Sequence, residues 1–115
     1  MAKGEDNPIK YAVISATTGN GNNTILSPTK RVRVLGYVLT ATAGCSVRFE
    51  SGAGGTALTG IIPLPANGGV SAACHYIGWF ETETDADVLN LEISNNAAAD
   101  VYGHLSYQEF EEVTT

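Results

Sequence analysis

Positive charge is scarce in this 115-residue chain, and it stops early. There are six Lys and Arg against twelve Asp and Glu, giving a net charge of −6, and no Lys or Arg follows Arg48. Nucleic-acid binders need a basic stripe to neutralise phosphates, so this balance argues against one. Cysteine is equally scarce: Cys45 and Cys74 are the only two, with no CxxC pair, and His75 and His104 are the only histidines. A structural zinc needs about four such ligands, so none is expected. No apolar run approaches the roughly 20 residues that span a bilayer, and Met1–Lys10 is polar rather than leader-like. The expected setting is a reducing cytoplasm, where both cysteines stay as buried free thiols. Helical periodicity is missing as well, because no segment sustains apolar residues at i, i+3, i+4 and i+7.

What remains is the signature of short strands. Thirteen glycines and four prolines punctuate a chain that is 43% hydrophobic and only 16% charged. The length suits one domain with a core of useful size. The segment Lys30–Ser51 (KRVRVLGYVLTATAGCSVRFES) organises the rest. Val32 and Val34 alternate with Arg31 and Arg33, as on a half-buried strand. From Leu35 both faces are apolar: Leu35, Tyr37 and Leu39 on one, Gly36, Val38 and Thr40 on the other. Such a strand is central or covered, by the same domain or by another subunit. Gly36 marks a close approach or a bulge. The chain then turns at Thr42–Gly44 and returns with Cys45, Val47 and Phe49 inward, which predicts a hairpin.

Further strands are predicted at Ile9–Ala16, Ala57–Leu64, Val88–Ser94 and Val101–Phe110. An aromatic strand is predicted at Cys74–Phe80, with large apolar groups on both faces. Gly52–Thr56 and Asn67-Gly68-Gly69 read as turns. About eight short strands with Gly, Pro and Asn turns predict an all-β, antiparallel β-sandwich over residues 9–110, jelly-roll-like. An immunoglobulin-like sandwich comes second, because Trp79 follows both cysteines rather than lying between them. Residues 1–8 are expected to form a flexible polar arm and 111–115 a polar tail.

Chemistry is thin. Glu81, Glu83, Asp85 and Asp87 stand at alternate positions and could gather around a cation, but the calcium-loop pattern is absent. A solvated acidic loop is the expectation, with contact to the basic Lys30–Arg33 patch as the alternative. There is no GxSxG elbow. The GxGxxA-like Gly52–Ala57 precedes β-branched residues and Pro63 rather than a helix, so it reads as a hairpin loop. No catalytic, cofactor-binding or metal-binding residue is assigned. Tyr76, Trp79 and Tyr102 could stack on sugars, as in a lectin-like module, though packing explains the same residues.

Several stretches together resemble the small head decoration proteins of tailed bacteriophages: Lys30–Thr40, Phe49–Gly60, Gly78–Thr82 (GWFET), Leu89–Asn95 (LNLEISN) and Val101–Tyr107 (VYGHLSY). The resemblance runs over Ile14–Tyr107. It implies a structural virion protein, not an enzyme and without a cofactor, made in the host cytoplasm and placed on the capsid surface. Its implied partners are the major capsid protein and further copies of itself, as a homotrimer, with neither nucleic acid nor membrane involved. A tail or fibre subunit is a related alternative. The doubly apolar strands suggest where self-association would occur: Leu35, Tyr37, Leu39, Ile77 and Trp79. Lys3, Arg31 and Arg33 are the residues expected to touch the capsid.

Overall fold

The structure, a computed structural model, describes residues 8–110. Lys3, most of the expected arm and the whole expected tail lie outside the described residues. Ten strands follow in order: β1 (Lys10–Ala16), β2 (Gly21–Leu26), β3 (Arg31–Ala41), β4 (Cys45–Ser51), β5 (Thr56–Ala57), β6 (Ile62–Leu64), β7 (Gly69–Ala72), β8 (Phe80–Glu81), β9 (Leu89–Ser94) and β10 (Val101–Phe110). They form two antiparallel sheets. One runs β1-β10-β3-β7, with β8 also on β3; the other runs β2-β9-β4-β5, with β6 also on β4. We call them the first and second sheets.

The short pieces share positions. β7 and β8 line one edge of β3, and β5 and β6 line one edge of β4, so ten strands fill eight places. The chain steps between sheets at β1–β2, β2–β3, β3–β4, β6–β7, β8–β9 and β9–β10. That order is a jelly roll, the predicted fold class.

The Lys30–Ser51 hairpin does not form. β3 pairs with β10, β7 and β8, while β4 pairs with β9, β5 and β6. Thr42–Gly44 is therefore an arch between layers. It is held by Thr42, whose N–H donates to the Asp100 carbonyl at 2.9 Å. Asn67 likewise takes a positive φ of 58° and serves a turn, closed by Gly68 N–H on the Pro65 carbonyl, that crosses between sheets. Among the described residues the one hairpin of consecutive strands is β4–β5. Gly52 and Gly54 take φ of 87° and 68° there, a conformation that costs glycine little.

The alternation of β3 changes phase in its middle. Gly36 pairs with Ser106 and Val34 with Tyr107, so Leu35 has no partner on β10: a β-bulge. Val32 and Val34 face the core before it, and Leu39 and Ala41 after it. Leu39 and Tyr37 therefore belong to the inner layer. Leu39 is fully buried, and the Tyr37 ring packs on Phe49 and Phe80 with centroids 5.3 and 6.2 Å away. Around them Ile14, Val47, Leu89, Leu91, Ile93, Val101 and Leu105 close one continuous core. The apolar surplus on β3 is an interior seen through a phase shift.

Candidate interaction surface

The two outer faces differ in kind. On the second sheet, β4 and β9 send Arg48, Glu50, Asn90 and Glu92 outward. Glu50 and Asn90 are nevertheless fully buried, because they bind each other and their neighbours. Glu50 Oε1 accepts from Asn90 Nδ2 at 2.8 Å and from the Gly54 N–H at 3.2 Å, and Oε2 accepts from Arg48 Nε at 2.8 Å. Arg48 also pairs with Glu92 at 3.2 Å, and Asn90 Nδ2 donates to Asn22 Oδ1. This face ties its outward polar groups to one another, with the buried Asn90 Oδ1 left without a partner.

The outer face of the first sheet carries no Asp, Glu, Lys or Arg across its centre. Register sets three rows across β1, β10, β3 and β7: Tyr11, Ser106 and Gly36; Val13, His104, Val38 and Ser71; Ser15, Tyr102, Thr40 and Gly69. Tyr11 and Val13 are 76% and 78% exposed. A groove of about 420 Å³ runs between Tyr11 and the segment Ala73–Cys74, over Gly36, Val38, His104 and Ser106. Gly36 is what lets that segment in. A Cβ at Gly36 would lie 2.8 Å from the Cys74 Cα. The sequence reading of Gly36, bulge or close approach, describes both of its roles.

Beside the groove stands a turn. The aromatic strand predicted for Cys74–Phe80 does not form, and of its residues only Phe80 lies in a strand, β8. His75 N–H donates to the Leu35 carbonyl and Trp79 N–H to the Val34 carbonyl, while Gly78 N–H closes a turn on the His75 carbonyl at 2.8 Å with φ of 89°. The chain thus follows β3 as an edge and loops outward at Tyr76–Ile77. Tyr76 is 80% exposed, Ile77 64% and Trp79 54%. The prong is ordered from within: His75 stacks on Tyr76, and Trp79 Nε1 donates to the Ala73 carbonyl at 2.9 Å.

The residues expected to drive self-association therefore separate. Ile77 and Trp79 are on the surface. Leu39 is fully buried inside the subunit, and Tyr37, partly buried, turns its ring onto Phe49 and Phe80 while also lining the groove. Leu35 is fully buried outside the main core, where the 73–79 segment docks on its backbone. For Leu35 and Leu39 the covering segment and the bulge account for burial within the subunit. Arg31 and Arg33, the expected capsid contacts, both bind Glu81, at 3.3 and 2.7 Å, and both lie over the Phe110 ring. Tyr76 and Trp79 do not join Tyr102 in one sugar platform. Tyr102 stands opposite Thr40, five residues along β3 from Leu35, or about 16 Å on a strand.

The acidic loop is drawn into the fold at both ends. Glu81 meets the two arginines, and Asp87 accepts from the Ser51 hydroxyl at 2.7 Å. That hydroxyl, with Thr84, holds the Asp87 carboxyl below the usual carboxylate value. Among the described residues no three of His, Cys, Asp and Glu converge as metal ligands. The cysteines differ from the expectation of two buried thiols. Cys45 is buried, which pushes its thiol pKa up, whereas Cys74 is exposed at the groove. His75 and His104 are likewise surface residues.

No family model matches the chain, and no curated protein sequence matches it. Solved structures do resemble it. A chain of the Bacillus endospore appendages, described as disulfide-linked pili, superposes with a TM-score of 0.55 at 16% identity, over 91% of this chain and 88% of that one. A chain of the acid-stable capsid of Helicobacter pylori bacteriophage KHP30 gives 0.52 at 13% identity, over 87% and 86%. A chain of the cyanophage Pam1 capsid asymmetric unit gives 0.49 at 16%, over 90% and 84%. At these identities the likeness is one of fold: an all-β sandwich of the kind that the phage capsid and pilus chains contain.

Proposed function

We propose that the chain is a structural virion subunit that binds the outside of an assembled phage capsid and stabilises the shell as a symmetric oligomer. The observation that carries this reading is the aromatic outer face of the first sheet, without charge across its centre, on a chain whose other sheet ties its outward charged groups to one another. Exposed apolar patches of this kind mark interaction sites. The whole-chain likeness in fold to a phage capsid chain supports the virion setting. In this reading Arg31 and Arg33 face the shell and exchange Glu81 for shell carboxylates, and Lys3 lies outside the described residues.

The test is co-sedimentation with undecorated phage shells, followed by heating of the decorated shells. Stoichiometric pelleting and a raised disruption temperature are expected. Shells that pellet bare and break at an unchanged temperature refute the reading. A filament subunit is the second reading, favoured by the fold likeness to a pilus chain. Negative-stain images of the concentrated protein decide it, since fibres would replace discrete particles.

A further inference from the structure

We infer that the outer face of the first sheet pairs with the same face of a second copy of this chain, across a two-fold axis. The inference deepens the assembly reading and rests on it only in treating this face as one covered in the virion.

Three observations choose the occupant. The first is shape. The face carries both a hollow, the 420 Å³ groove, and a knob, the Tyr76–Ile77 turn next to it. A two-fold contact requires a surface complementary to itself, and a knob beside a hollow is such a surface: rotation about an axis between them places each knob in the other copy's hollow. The second is charge. Two copies of a chain with net charge −6 repel, and like charges brought together at a contact cost several kcal/mol. Neither the groove lining nor residues 75–79 include an Asp, Glu, Lys or Arg, so this contact avoids that cost. The third is area. A buried aromatic residue covers roughly 150–250 Å², so Tyr11, Tyr76, Trp79 and Tyr102, exposed as they are, bring on the order of 500 Å². Val13, Ile77 and the groove floor extend this toward the roughly 800 Å² per partner of a specific interface. A shell protein would have to supply a matching knob and hollow of its own; a second copy already has both.

Cys74 is a built-in probe, because it is exposed at the groove while Cys45 is buried. The experiment measures light-scattering mass and the rate of Cys74 modification by a thiol reagent over a range of protein concentrations. It compares the natural sequence with Val13→Asp and Ile77→Asp. Both side chains point into solvent, so circular dichroism should match the natural sequence, and so should urea midpoints taken at a concentration low enough for every protein to be monomeric. The expected result is twice the subunit mass, with Cys74 protected more as concentration rises. Each variant should raise the pair's dissociation constant at least about 30-fold and restore Cys74 reactivity. A monomer at all concentrations, a trimer, or a pair that neither variant loosens overturns the inference. Shell binding is scored separately. Shells decorated by monomers overturn the pairing alone, and a stable pair that ignores shells overturns only the capsid reading.

Discussion

Leu39→Ala is the sharpest probe of the bulge on β3. Uninterrupted alternation from Val32 and Val34 would put Val38 and Thr40 inside and Leu39 outside. With Leu35 unpaired, Leu39 turns inward and is fully buried among the core residues. Truncating such a leucine costs about 2–5 kcal/mol, the lost transfer energy plus the cavity left behind. Against a stability of roughly 5–15 kcal/mol for a domain this is a large fraction. The urea slope for a small domain is about 1–3 kcal/mol per M, so the midpoint should fall by roughly 1–3 M. Val38→Ala, on the half-buried outer side, should cost about 1 kcal/mol or less. Both are measured at one low protein concentration, because association itself stabilises the fold. If Val38→Ala proves the costlier of the two, the phase shift is wrong. If Leu39→Ala instead lowers the oligomer mass with the urea midpoint unchanged, Leu39 is an interface residue, as the sequence pattern alone suggests.

Two further outcomes follow from the polar groups. Glu50→Ala removes the buried acceptor shared by the Gly54 N–H and Asn90 Nδ2, which keeps only Asn22 Oδ1, and should cost about 1–3 kcal/mol in urea unfolding, more than loss of a surface glutamate. Asp87 has a folded pKa below its unfolded one, so its contribution is present above the ordinary carboxylate value and fades as pH falls through the folded value. Asp87→Asn should therefore flatten the acid side of the stability–pH curve below about pH 4, and an unchanged acid limb would contradict the Ser51 contact.

The parts of the fold legible in the sequence are those set within a few residues. Alternation on β4 and β9 shows Val47, Phe49, Leu89, Leu91 and Ile93 inside, where they are. The glycines of Gly52–Gly55 announce a tight hairpin because positive φ is a local demand. Three features depend on distant chain. Thr42–Gly44 suits a hairpin as well as an arch, and the choice rests on whether β10 or β4 lies beside β3. The bulge at Leu35 depends on the register of β10, and in an unbroken apolar run its only local sign is Gly36. Glu50 reads as an outward-facing carboxylate and is outward-facing; it is buried because Asn90, 40 residues on, and the Gly54 turn close over it. Of the candidate surface, Ile77 and Trp79 were legible as apolar surplus. Tyr11 and Val13 were not, since a strand's alternation does not say which side meets the core.

The uneven charge along the chain has a structural use that bears on the exposed face. Four of the six basic residues, all in its first half, meet acidic residues of its second: Lys10 with Glu109, Arg31 and Arg33 with Glu81, Arg48 with Glu92. Each pair joins strands far apart in sequence and adjacent in a sheet. Exposed pairs of this kind contribute only about 0–1 kcal/mol, so they do little to hold the sandwich together. Their effect is on specificity, because like charges directly opposite disfavour a wrong register. The pairs also lie at the rim of the first sheet and on the outer side of the second. Cross-strand pairing thus draws the basic residues away from the rows of Tyr11, Val13 and Tyr102. Glu109, Glu81 and Glu92 go with them, so a chain of net charge −6 presents a face whose centre carries no charge. The proposed pairing of an acidic protein with a copy of itself needs such a face, and the same charge pairing that favours the register leaves its centre clear.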